Sequence, residues 1–440
     1  MRAPAAFPMV RMTDRRKEGP LPTLDLLLAA VGALGVVIVA LSARMTRWPV
    51  SEPLIALAGG VILGPAVLGV LDVPDILAEQ STLHNGAEIL LAVSVMGVAL
   101  RYPFSAIREH WRRLALLLVA LLLVVVLPAM ALISTGLAMW ALGIPFALAL
   151  LFGTAICPTD PVLASAAVTG DAAEEDLPEH DRQLLSLESG ANDGLALPLV
   201  LVALAVATPL TAGQAATEAL WQIGAALAVG AVGGVAAAKA LHFSERHHDT
   251  EKGAMLMYTL LLSILVLGVS GLLEANGVFA SFVAGLAFNL ASSGSERKTE
   301  VEIDEAVNQF AVLPFFLALG AMIPWTAWAE LGWGAVWLTA GVLLLRRPPL
   351  LFALMKSLAL KVRGAAYLGW FGPVGVAAVF YLTEEASRAG ADPILLGAGT
   401  LVVVASTVAH GITAAPGRAL FRAAAEREQT TTSSSSPSSS

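Results

Sequence analysis

The sequence predicts an all-α polytopic membrane protein of about thirteen transmembrane helices, built as two inverted-topology repeats with interrupted helices 5 and 12. Three observations carry that reading: an apolar composition, loops whose basic residues alternate, and two proline- and glycine-broken apolar runs seven apart. Of 440 residues, 57% are apolar and 14% charged, with a mean hydropathy of +0.76. Soluble domains carry about a quarter charged residues, so water is not the main solvent of this chain. A net charge of −8, with no basic run interleaved with aromatics, argues against nucleic acid as a partner. The single cysteine, Cys157, leaves no internal disulfide framework and no cysteine-rich metal site.

A bilayer core about 30 Å thick needs about 20 apolar residues per helix. Runs that meet or approach this length lie near 24–43, 51–70, 86–100, 114–138, 145–168, 184–207, 217–241, 254–273, 275–290, 305–323, 332–355, 364–384 and 394–415. The pair within 254–290 is the least distinct. Backbone amides in lipid must be satisfied within the segment, so these runs are helices and not open strands. Scattered Gly and Ala in 224–238 read as close helix packing.

The loops test this register, because lysine and arginine collect on the cytoplasmic side. Starting between runs 1 and 2, alternate loops hold Arg44 and Arg47, then Arg101, Arg108, Arg112 and Arg113, and continue so to Arg418, Arg422 and Arg427 in the C-terminal tail. The opposite loops hold only Arg388. This places the chain in the inner or plasma membrane with its C-terminus cytoplasmic and its N-terminus outside. Residues 1–23 form an N-terminal tail whose five basic residues conflict with that side, a conflict eased either because many later loops overrule a short tail or because translation starts at Met12, which removes two of the five. The first apolar run lacks a small-residue cleavage site and is read as retained. Residues 24–417 form the membrane domain, and 418–440, ending in a Thr/Ser/Pro tract, are expected to be a disordered cytoplasmic tail. The polar stretches 170–183 and 291–304 are too short for an extramembrane catalytic domain, so the chain is not read as an enzyme.

Ionisable residues near the bilayer centre cost about 2.5–3.5 kcal/mol on insertion scales, so each needs a reason. Asp160 sits in Cys157-Pro-Thr-Asp-Pro161, where Pro158 and Pro161 should break the helix and free carbonyls beside the Thr159 hydroxyl. A plain proline kink is the alternative. In Glu188-Ser-Gly-Ala-Asn-Asp193, Ser189 and Asp193 share one helical face, and Glu188 and Asn192 share the next. The first face could hold a cation between a hydroxyl and a carboxylate. The second would pair Glu188 with a buried base; the candidates by this count are Arg346 and Arg347, and pairing with Arg347 suits a bidentate bond. Helix capping by Glu188 and Asp193 is the other reading. The second break is Gly369-Trp-Phe-Gly-Pro-Val-Gly375, with Gly372, Pro373 and Gly375 interrupting helix 12. Paired breaks in corresponding helices point to a secondary-transport site, against two unrelated kinks. His247 and His248 read as solvated loop residues, with pH sensing as the alternative, and His410 and Glu274 as capping or snorkelling near helix ends.

The stretch CPTDPVLASAAVTG, followed by LLSLESGANDGLALP, closely resembles the cation:proton antiporter family, specifically its CPA1-type sodium/proton antiporters. NGVFASFVAGLAFN, Arg347-Pro348 and GWFGPVGVAAVFY also match, the last resembling the fungal plasma-membrane branch; the likeness covers about 85–415. Position by position, it implies Asp193 as the ion- and proton-binding carboxylate and Thr159 and Ser189 as oxygen ligands, so that sodium would sit at Asp193, Thr159 and Ser189. Asp160 and Asn192 become crossing and helix partners, and Glu188–Arg347 a structural ion pair. A homodimer is implied as well, and no cofactor. Many members carry a cation-liganding glutamate in helix 3, where this chain reads Val95-Met96-Gly97, so the site should rely more on backbone oxygens and water.

The expected activity is exchange of a proton for sodium, with lithium or potassium as further candidates, at one proton per cation. Asn192 stands where a second acid would add charge. A core near 114–207 and 332–415 would rock against a scaffold near 24–100 and 254–323. A cation channel is the first alternative, since broken helices also suit a filter. An intramembrane aspartyl hydrolase using Asp160 and Asp193 is the second, and prolines on both sides of Asp160 suit an ion site better.

Overall fold

The computed structural model describes residues 23–45, 50–101, 122–168, 171–246, 257–292 and 311–434. Among them the chain is helical without strands. The helices are α1 (Thr23–Met45), α2 (Glu52–Leu63), α3 (Ser81–Arg101), α4 (Leu127–Leu142), α5a (Phe146–Ala155) and α5b (Pro161–Val168). They continue with α6, itself jointed at Ala196 (Glu179–Leu195 and Leu197–Ala207), α7 (Ala212–Arg246), α8 (Tyr258–Leu272), α9 (Gly277–Ala291) and α10 (Ala311–Ala321). The last are α11 (Gly332–Leu345), followed by a short helix Pro348–Leu354, then α12a (Val362–Trp370), α12b (Val376–Ala389) and α13 (Pro393–Ser434). Six helices among the described residues are long and apolar enough to cross a membrane by length and composition, and six further apolar helices are shorter.

Every apolar run contains helix, but boundaries differ in instructive ways. The doubtful pair within 254–290 forms two helices, α8 and α9. Asn276 separates them: its side chain accepts the Phe279 N–H at 2.8 Å and caps α9. The run at 51–70 ends its helix at Leu63, and Gly64–Val70 turns back. Residues 102–121 and 301–310 lie outside the described residues, as do the N-terminal tail and His247–His248.

The tail expected to be disordered is instead helical as far as Ser434. The Ala-rich sequence 419–427 favours helix intrinsically, and it gains partners. Phe421 is buried against Tyr367, Arg363 lies 5.2 Å over the Phe421 ring, and Arg422 pairs with Asp176 at 3.0 Å. Because α13 runs on, His410 lies within the helix and not near its end. It is buried, with Nε2 2.8 Å from the Trp370 carbonyl.

Packing follows the small residues. α7 lies along α9 so closely that a Cβ on Gly230 would meet the Ala280 carbonyl at 2.5 Å. α3 packs on α9 and on α12b, while α5a is held between α4, the second half of α6 and α12b. The two broken helices therefore meet inside the protein, screened by α3, α6 and α13.

Candidate functional site

Both breaks start from missing or crowded backbone donors. Pro158 and Pro161 have no N–H, so α5a stops at Ala155 and the chain restarts with Pro161 in the first helical turn, where a missing donor costs nothing. In helix 12, Pro373 interrupts between Trp370 and Val376. The two unwound segments are joined directly, Asp160 N–H donating to the Pro373 carbonyl at 3.0 Å.

Together the two crossing segments present two helix N-termini and two C-termini, and each kind is met by the opposite charge. The Asp160 carboxylate serves the N-termini. Its Oδ1 accepts from Val162 N at 2.7 Å and Leu163 N at 3.0 Å, and its Oδ2 accepts from Val376 N. The Arg346 guanidinium serves the C-termini. Its Nη1 donates to the carbonyls of Ile156 (2.5 Å), Cys157 (3.2 Å) and Pro158 (3.1 Å), and its Nη2 to Gly372 (2.5 Å). Sequence reasoning saw Arg346 as a buried base but gave it no partner. Its targets are carbonyls that exist as acceptors only once both helices have broken.

The glycines of the second break are close-approach positions. A Cβ on Gly375 would lie 2.6 Å from Asp160 Cγ and 2.7 Å from Leu163 Cδ1, and one on Gly372 would lie 2.8 Å from Arg347 Cζ. Gly375→Ala should therefore force the crossing apart. Overpacking of this kind costs about 1–3 kcal/mol, to be seen as a lowered thermal midpoint of the purified protein.

A second set of bonds ties the break in helix 5 to α6. Asn192 Nδ2 donates to Thr159 Oγ1 at 2.6 Å, Thr159 N donates to Asn192 Oδ1 at 3.2 Å, and the Thr159 and Ser189 hydroxyls are 3.2 Å apart. One turn away, Arg347 forms a bidentate pair with Glu188, both bonds 2.5 Å, and its Nε donates to the Leu368 carbonyl at 3.0 Å. Both partners are buried. From α13, Ser406 Oγ accepts the Val374 N–H at 2.8 Å. Neither Ser406 nor the His410 contact with α12a stood out in the sequence, where both sit in an apolar run.

Asp193 differs from all of these. It is 1% exposed, and neither carboxylate oxygen has a hydrogen-bond partner among the described residues. Its backbone carbonyl accepts from the Tyr381 hydroxyl of α12b, and Asp160 lies within electrostatic reach. Thr159, Ser189 and Asn192 are thus brought together, Asp160 is spent on helix ends, and the Asp193 carboxyl is left free of all of them. An ionised carboxylate in that position costs several kcal/mol (an order of magnitude) unless a cation or a proton balances it. Glu385 on α12b is a further buried carboxyl that the sequence reading passed over, because run 12 was closed at residue 384.

Comparison with known proteins agrees with this architecture. The family described as sodium/hydrogen exchanger, transmembrane, matches residues 31–417. A protein of Zygosaccharomyces rouxii named Na(+)/H(+) antiporter 2 is 31% identical over 355 residues, 77% of this chain and 43% of that protein. A probable Na(+)/H(+) antiporter of Schizosaccharomyces pombe is 31% identical over 347 residues, 75% of this chain and 44% of its own length. The chain thus spans less than half the length of these curated relatives. Among solved structures, the sodium proton antiporter MjNhaP1 of Methanocaldococcus jannaschii superposes with a TM-score of 0.69, covering 91% of this chain and 97% of that one at 18% identity. That likeness fixes the fold: an all-helical, multi-pass membrane protein.

Proposed function

The chain belongs to the sodium/hydrogen exchanger family, and from that premise we propose that it exchanges a monovalent cation for a proton across the plasma membrane. The observation that carries the proposal is Asp193, a buried carboxyl whose two oxygens the protein does not use. Proton and cation compete for it. A carrier that crosses only with one or the other bound gives obligatory exchange, and this is why a channel or a hydrolase is the weaker reading. A hydrolytic pair would need Asp160 and Asp193 to share a proton, whereas both Asp160 oxygens accept backbone N–H groups.

Thr159 and Ser189 stand as oxygen ligands for sodium beside Asp193. Arg346 binds the unwound carbonyls of Ile156, Cys157, Pro158 and Gly372, so these four position the site. Asp160 and Asn192 hold the crossing, and Glu188–Arg347 braces α6 against the segment before Pro348. The core near 114–207 and 332–415 rocks against the scaffold near 24–100 and 254–323, in a homodimer with cytoplasmic C-termini.

With one acid working, one proton moves per cation and no net charge crosses. Proteoliposomes with an acid interior, given sodium, lithium and potassium in turn, should show saturable alkalinisation for the transported ions. Clamping the membrane potential at different values should leave the rate unchanged. Flux that does not saturate would favour a channel, and a rate that follows the potential would rule out the one-to-one ratio.

A further inference from the structure

Beyond Asp193, α12b buries a second carboxyl with an oxygen to spare. Glu385 is 0% exposed; its Oε1 accepts from Thr154 Oγ1 at 2.9 Å, and its Oε2 has no partner among the described residues. Neither Arg346 nor Arg347 bonds to it. A buried carboxyl with no pairing cation is an expensive structural device, and the crossing is already held together without it.

The hydroxyl beside it has a choice. Thr154 Oγ1 also lies 2.9 Å from the Leu150 carbonyl and 3.1 Å from that of Leu151. A hydroxyl has one proton to donate and two lone pairs that accept. When Glu385 is ionised, Thr154 donates to it. When Glu385 carries a proton, it donates to Thr154 Oγ1, and Thr154 turns back to the Leu150 carbonyl. Both protonation states therefore keep a hydrogen bond to Thr154 without moving the helices.

Named contacts tie its surroundings to Asp193 on one side and to the end of α12b on the other. Tyr381, whose hydroxyl donates to the Asp193 carbonyl, is one turn before Glu385 on the same helical face. Cys157, in the break of helix 5, lies within electrostatic reach of both Asp193 and Glu385. Toward the other end of α12b come Glu384 and Arg388, the latter paired with Glu218 of α7 at 2.8 Å. On α3, the partly buried Glu88 and His84 face the same end, with His84 Nδ1 3.0 Å from Thr383 Oγ1. Asp392 caps the start of α13 there. The charged groups around Glu385 thus open toward the face where α3 begins and α12b ends, the face read as external.

We propose that Glu385 is a second proton-binding carboxyl of the transport path, passing protons between Asp193 and the external face. As a cation takes the Asp193 carboxylate, the proton released from Asp193 is bound by the Glu385 carboxylate, and Glu385 then gives it to solvent outside. One proton leaves for each cation taken up; Glu385 is then ionised again, Asp193 regains a proton when it releases the cation on the other side, and the reverse sequence runs on reversed gradients. This rests on the exchange reading above.

Glu385→Gln tests it, because glutamine keeps the shape and the bond to Thr154 but cannot release a proton. A carboxyl serving only as a permanently neutral brace would be mimicked faithfully. In proteoliposomes the variant should exchange about a hundredfold more slowly, with an altered dependence on external pH and an unchanged thermal midpoint. Glu385→Asp should recover part of the rate. Thr154→Val, which keeps the carboxyl and removes its switching partner, should shift the pH profile with a smaller loss. Wild-type rate and pH profile in Glu385→Gln would overturn the assignment. If that variant does not fold, a wild-type profile in Thr154→Val would overturn it as well. Absence of cation-driven proton flux in the wild-type protein would instead contradict the exchange reading itself.

Discussion

Replacing Asp193 with asparagine should abolish exchange while leaving the protein folded and inserted. Asparagine has nearly the same volume, but it neither binds a proton at working pH nor offers a charge to a cation. The loss should be about a hundredfold or more, as for removal of a group that carries the chemistry itself. Stability should not fall with it. The two Asp193 oxygens accept nothing from the described protein, so no bond is lost, and an uncompensated buried charge disappears. Its thermal midpoint should equal or exceed that of wild type. The test is cation-driven proton flux in proteoliposomes beside thermal unfolding of the same preparation. Retained flux would remove Asp193 from the mechanism.

The next largest effect is on stability. Arg347→Ala should cost about 3–5 kcal/mol, because it leaves Glu188 ionised in a low-dielectric interior. Both members of the pair are nearly fully buried and bonded at 2.5 Å twice over. Replacing both by apolar side chains, Glu188→Leu with Arg347→Met, should be milder than either single change. It will not be neutral. Arg347 Nε also donates to the Leu368 carbonyl at 3.0 Å, and that acceptor loses its donor, at a cost of about 1–3 kcal/mol. Thermal midpoints of the two single variants and the double variant decide the matter. A double variant less stable than both singles would mean that the ion pair is not what joins α6 to this segment.

Much of the fold was legible because lipid leaves the chain few choices. Apolar runs gave the helices, and Pro158, Pro161 and Pro373 gave the two breaks that meet at Asp160. The expected contact between Glu188 and Arg347 could be read from charge alone, since an isolated buried acid and an isolated buried base need each other. Arg346 was opaque for the opposite reason: it binds carbonyls, which every residue has, and no side-chain pattern reveals which of them a break will strand. Glu385 was lost to a boundary. Run 12 was closed where the sequence turns acidic, but α12b continues to Ala389 and carries Glu385 into the interior. The Thr/Ser tract drew attention away from the Ala-rich segment before it, which extends α13 and buries Phe421. Composition over a window reports average preference, and a few tertiary contacts are enough to override it.

Proton release on cation binding is the quantity closest to the central idea. Purified protein in weakly buffered detergent solution, given sodium at constant ionic strength, should release one proton for each sodium bound, and Asp193→Asn should release none. Sodium binding to the wild-type protein without proton release, or undiminished release from the Asp193→Asn variant, would contradict a shared carboxyl.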